Sequence, residues 1–168
     1  VALRGGNFDG HKFLAEAFAR GCAAAVVESS AKLDVVQTMP LLLVQNTTLA
    51  LGELARYYRQ KFSLPIIAVG GSNGKTTTKE MVTKVLSTKY HVLSTEGNLN
   101  NHIGVPQTLF RLEKKHQIAV VEIGTNHPLT SLPGARLAQM NRFGEIDFIL
   151  RRKKRNFFDL RQINPHRC

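Results

Sequence analysis

At 168 residues, with 43% hydrophobic and 21% charged residues, the chain has room for one ordinary domain or two small ones and the composition of a soluble globular protein. No apolar run approaches the roughly 18 residues that span a bilayer, which excludes membrane insertion through a helix, and the lone pair Cys22 and Cys168 is neither a disulfide framework nor a metal-ligand spacing, as expected of a reducing cytoplasm. The formal net charge of +11 invites a nucleic-acid reading but is lopsided: residues 1–127 hold 14 Lys/Arg against 9 Asp/Glu, a net of +5, and residues 128–168 hold 9 against 3, a net of +6. From Val1 to Gly6 the chain reads as a strand with no charged region before an apolar one, so no signal peptide is expected, and a start upstream of Val1 is. Asp9 is a candidate N-cap for a helix over His11–Arg20, where Phe13, Leu14, Ala17 and Phe18 share a face and Gly21 ends it. Ala23–Val27 and Leu41–Val44 follow as short strands. Thr48–Phe62 has helical spacing, and Ser63-Leu64-Pro65 reads as a hinge.

Beyond the hinge the pattern restarts. Ile66–Val69 is predicted as a buried strand, Gly70–Gly74 as a glycine-rich loop, and Lys75–Leu86 as an amphipathic helix with Met81, Val82, Val85 and Leu86 facing inward. His91–Ser94 is a further strand, Val105–Leu112 a helix with Pro106 in its first turn, and Ile118–Ile123 a strongly apolar strand. Strands alternating with helices predict an α/β fold with a mostly parallel sheet, in which ligands gather at the carboxyl ends of strands.

Gly71-Ser72-Asn73-Gly74-Lys75-Thr76-Thr77 lies between such a strand and such a helix. Its glycines allow successive N–H groups to converge on one anion, and the helix start adds the positive end of its dipole. Lys75 is placed to reach the β/γ-phosphates of a nucleotide and the Thr76 hydroxyl to ligate Mg²⁺. The usual phosphate-loop formula would require glycine at Val69, so the motif is the shorter Gly-x-x-Gly-Lys form, and an inert turn is the plainer alternative. Glu122 ends a strand of the same sheet, where a carboxylate suits Mg²⁺ opposite Thr76; a solvent-facing strand end is its plainer alternative. The loop from Thr95 to Gly104 contains Asn98, Asn100 and Asn101, suited to a polar ligand and equally common in structural turns. His102, His116 and His127 show no zinc spacing.

Three segments together, Val69–Glu80, Gly97–Pro106 and Val121–Pro128, resemble the ATP-dependent Mur ligases, and Val1–His11 is similar to the family's amino-terminal substrate domain. The resemblance covers roughly residues 1–128. It implies a small amino-terminal α/β UDP-sugar substrate domain over 1–62, part of a phosphate-loop, parallel-sheet ATP-binding domain over 63–128, and an atypical basic tail over 129–168. It implies an amide ligase of peptidoglycan synthesis: ATP phosphorylates the carboxylate of UDP-N-acetylmuramoyl-tripeptide, and the amine of D-alanyl-D-alanine attacks the acyl phosphate. Lys75 and Glu122 would be catalytic; Thr76 and Glu122 would hold Mg²⁺. Thr95, Asn98, Asn100, Asn101, Asn126 and His127 would line the muramoyl-peptide side, and Arg4 with the Asn7–Asp9 turn would belong to the nucleotide-sugar domain. A cytoplasmic monomer that binds no nucleic acid is the accompanying expectation.

The sequence departs from the family where Gly70 replaces a common threonine and where Leu129 to Gly134 replace a glycine-glutamate continuation. A frameshifted or otherwise aberrant end is the reading of the segment after 128. The family's later metal-binding histidine, modified lysine and carboxyl-terminal domain have no counterpart here, so the chain alone is expected to bind nucleotide weakly and to lack ligase activity. A sister Mur ligase or a folate polyglutamate synthase shares the Gly-x-x-Gly-Lys loop and is the alternative among enzymes. Arg151–Arg155 beside Phe157-Phe158 suggests a basic nucleic-acid binder outside enzymes, against which a solvated end is the simpler reading.

Overall fold

The computed structural model describes residues 1–33, 39–124 and 147–151, the last as backbone. The chain forms two compact units that divide between Leu54 and Ala55.

In the first unit a 3-10 turn over Gly10–Phe13 leads into α1 (Leu14–Ala19), followed by β1 (Ala25–Glu28), β2 (Leu41–Val44) and the start of α2 (Thr47–Arg59). The predicted strand at the chain start is not a strand: one antiparallel bridge joins Arg4 to Asp9, and Ala2 N–H donates to Val26 O at 2.9 Å. Gly5 and Gly6 turn the chain too soon for a ladder to extend. β1 and β2 pair in parallel, and Ala2, Leu14, Phe18, Ala25 and Val27 form the core of this unit. Asp9 caps the 3-10 turn as expected, its carboxylate accepting from His11 N–H at 3.0 Å. The buried His11 ring ties the turn to β1, since its Nδ1 donates to Asp9 Oδ1 at 2.6 Å while its Nε2 accepts from Glu28 N–H at 2.9 Å. Arg4 bridges the same two acids at 3.2 Å from Asp9 and 3.1 Å from Glu28. The His11 hydrogen bonds, first of all, hold the Asp9 carboxyl down to about 2.

Among its described residues the second unit holds a four-stranded parallel sheet of order β4-β5-β3-β6, with β3 at Ile66–Gly71, β4 at Val92–Ser94, β5 at Ile118–Glu122 and β6 at Asp147–Arg151. α3 (Lys75–Leu86) connects β3 to β4, and α4 (Gly104–Phe110) connects β4 to β5. β5 is buried along Ala119–Glu122 on both faces, which explains its unbroken apolar run. Alternate residues Ala119 and Val121 enter a core with Ala55, Leu64, Ile66, Leu93, Val105, Leu109 and Leu112. Past α2 the chain is fixed by the buried Arg59, whose guanidinium donates to Phe62 O and, at 2.6 Å, to Leu64 O.

One expectation about α3 is corrected here. Met81 and Val85 do not face inward: they are 65% and 69% exposed, and the inward stripe of α3 is Lys79, Val82, Thr83 and Leu86. In the segment after residue 128, for which the sequence reading names no element, β6 pairs in parallel with β3 along Ile67–Gly71.

Candidate functional site

The phosphate-loop residues sit at the carboxyl end of β3. Gly71 has φ 141° and Gly74 has φ 74°, backbone angles open to glycine, and they turn the chain from strand into helix across the exposed Ser72 and Asn73. Gly74 is the N-cap of α3 without a side-chain cap, and the first helical bond runs from Thr78 N–H to Gly74 O at 2.9 Å. The N–H groups of Lys75, Thr76 and Thr77 therefore have no partner within the helix, which is what an anion at a helix start requires. Lys75 is half-buried; Thr76 and Thr77 are exposed.

Glu122 lies alongside. In the register of β3 and β5 it pairs with Val69, so the carboxylate emerges at a strand end adjacent to the one that begins the loop. It is 1% exposed. Its Oε1 accepts from Asn100 Nδ2 at 2.8 Å, and its Oε2 is buried with no hydrogen-bond partner among the described residues. A buried carboxylate oxygen left unpaired is costly unless something cationic meets it. That orphaned oxygen fits Mg²⁺, a hard cation that takes one or two protein oxygens and completes its shell with water and phosphate.

The asparagine loop is built around the same acid. Asn100 O accepts from Gly124 N–H at 2.7 Å, tying the loop to the residue pair after β5. Thr95 is buried at the end of β4, its Oγ1 accepting from Glu122 N–H at 3.0 Å. Asn101 Oδ1 accepts from Ile103 N–H at 3.0 Å and Gly104 N–H at 2.8 Å, capping α4. Asn98 is exposed. The loop thus uses Thr95, Asn100 and Asn101 to hold itself against Glu122 and α4. Asn126 and His127 lie outside the described residues. Arg4 and Asp9 belong to the first unit, where they are paired with each other.

The sequence reading passed over Lys79. It is 1% exposed, and its Nζ donates to Thr95 O at 2.7 Å and pairs with Glu80 Oε1 at 2.5 Å. The available signal was its place four residues after Lys75, at the inward spacing of an amphipathic helix.

Comparison with known proteins points one way. Residues 69–143 match the Mur ligase middle domain. The chain is 46% identical over 127 residues to UDP-N-acetylmuramoyl-tripeptide--D-alanyl-D-alanine ligase of Escherichia coli, covering 76% of this chain and 27% of that protein. It is 44% identical over 124 residues to the ligase of the same name from Bacillus subtilis, covering 74% of this chain and 27% of the relative. Among solved structures, MurF from Acinetobacter baumannii aligns with a TM-score of 0.72 at 43% identity, over 82% of this chain and 30% of that one. MurF from Thermotoga maritima, solved in complex with ADP, aligns at 0.71 and 34% identity over 82% of this chain and 31% of that one. The chain therefore spans less than a third of the length of these relatives. With the glycine-lysine loop, the asparagine loop and the strand-end glutamate in the order and register described above, the chain belongs to the Mur ligase family.

Proposed function

We propose that this chain carries the nucleotide-phosphate site of an ATP-dependent ligase that joins D-alanyl-D-alanine to UDP-N-acetylmuramoyl-tripeptide in the cytoplasm. The carrying observation is the adjacency of two strand ends, one opening into the loop Gly71–Gly74 and the other bearing Glu122 with an unpartnered buried oxygen. Two similar proteins bear the name of that ligase, and a third was solved with ADP.

A carboxylate is a poor acyl donor until one of its oxygens becomes a leaving group. Phosphoryl transfer from ATP makes it one, and the amine then displaces inorganic phosphate to form the amide. The residues in hand act on the first step. The N–H groups of Lys75, Thr76 and Thr77, which have no partner within the helix, hold the phosphate chain, and the Lys75 ammonium offsets charge on the β/γ-phosphates. Thr76 and Glu122 would hold Mg²⁺, which when bound would supply neutralisation of phosphate charge. Asn98, with Asn126 and His127, is assigned to the muramoyl-peptide side; Thr95, Asn100 and Asn101 shape that side by holding the loop. Residues 1–62 are assigned to the nucleotide-sugar portion, 63–128 to the ATP-binding portion, and the working form is a monomer.

Calorimetry of Mg²⁺-ADP binding to this chain, with Lys75→Ala beside it, tests the reading. Loss of at least about tenfold in affinity is expected in the variant, the order of one charge-assisted contact to phosphate. Equal binding by both proteins would refute it.

A further inference from the structure

Lys79 is a charged residue where an apolar one would be expected. It opens the inward stripe of α3, ahead of Val82, Thr83 and Leu86, and is 1% exposed. Desolvating an ammonium costs several kcal/mol, and well-packed apolar residues often replace buried charges without loss of stability. Glu80 compensates only from the rim, since its side chain is 64% exposed. Stability alone gives Lys79 no reason to be there; its partners do. Nζ donates at 2.7 Å to the carbonyl of Thr95, and the hydroxyl of that same threonine accepts from the backbone of Glu122 at 3.0 Å. Glu122 in turn holds Asn100 at 2.8 Å, whose carbonyl accepts from Gly124 at 2.7 Å. Lys79 also stands about one helical turn after Lys75 on the same rigid helix.

Resting on the nucleotide reading above, we infer that Lys79 is a positioning residue that fixes the Glu122 carboxylate and the asparagine loop relative to the phosphate loop. It ties the helix that starts at the anion site to the strand end that offers the metal ligand. Its effect is therefore on Mg²⁺-dependent binding of nucleotide rather than on the grip of the loop on phosphate.

The test is titration of this chain with an ADP carrying a fluorophore on its ribose, once with Mg²⁺ and once with EDTA, in wild type, Lys79→Met, Thr95→Val and Glu80→Gln. Thermal midpoints are recorded for each. Wild type is expected to bind more tightly with Mg²⁺, and the ratio of the two affinities is the readout. Lys79→Met should bind in EDTA within about twofold of wild type and lose the Mg²⁺ gain by about tenfold, the size of one charge-assisted tether. Thr95→Val, which cuts the chain one link later, should lose the gain likewise, and Glu80→Gln should keep it. A merely structural lysine would lower the thermal midpoint and both affinities together. A full Mg²⁺ gain in Lys79→Met overturns the inference, as does one in Thr95→Val should Lys79→Met fail to fold. Wild type that binds in both conditions without a Mg²⁺ gain overturns it too and leaves the phosphate loop standing. Wild type that binds in neither condition overturns the nucleotide reading itself.

Discussion

Gly104 opens α4 at a point where no side chain fits, because a Cβ there would lie 2.5 Å from the Cα and carbonyl carbon of Leu99. Both are backbone atoms of the asparagine loop and cannot swing aside. Gly104→Ala is expected to destabilise the second unit by about 2–4 kcal/mol through a forced backbone shift, read from the urea midpoint. Asp9 supplies a pH-dependent counterpart in the first unit. Its carboxyl is depressed from 3.8 to about 2, chiefly by the His11 hydrogen bonds, so its contribution to stability is present above about pH 4 and fades as pH falls through about 2. Asp9→Asn should flatten that part of the acid-unfolding curve, followed by circular dichroism between pH 2 and 5. At this scale the sequence was legible where a residue type has one mechanism. Gly74 and Lys75 announce themselves by standing between strand and helix, and Asp9 by preceding a helical face. It was illegible where a role depends on a distant partner: nothing local shows that Asn100 spends its amide on Glu122, or that Thr95 is sealed beneath it.

Among the elements, α3 shows what periodicity can and cannot decide. Its helical nature follows from spacing, but two overlapping stripes satisfy the same period, and the apolar one containing Met81 and Val85 was the natural choice. The sheet instead receives the stripe that begins with Lys79, whose ammonium donates to the Thr95 carbonyl. Met81→Gln should therefore change stability by less than about 0.5 kcal/mol, whereas Leu109→Ala in the buried face of α4 should cost about 2–5 kcal/mol, both measured by chemical denaturation. A large effect at Met81 would mean that its face is covered. β1 to β5 were legible to within two residues at each end, and the buried β5 leaves the unbroken run Ala119-Val120-Val121. Arg59 was not, because a guanidinium that satisfies the carbonyls of Phe62 and Leu64 looks in sequence like any solvated helix end.

For the whole molecule, alternation of strand and helix predicted a parallel α/β architecture, and the sheet has it. The strand at Asp147–Arg151 escaped notice because its pairing with β3 is made across most of a hundred residues and its short apolar run is bordered by charge. Charge, too, is a property of the whole: more than half of the excess lies after residue 127. Any DNA binding at low salt should therefore vanish near physiological salt and on deletion of residues 152–168, as checked by electrophoretic mobility. The central claim, that the end of β3 is a nucleotide-phosphate site facing Glu122, is tested most directly by amide NMR of this chain during titration with Mg²⁺-ADP. The account predicts that the largest shifts fall on Gly74, Lys75, Thr76 and Thr77, with Glu122 and Gly124 moving on the same binding curve. Shifts that spare those residues and gather instead on the basic end of the chain would contradict it.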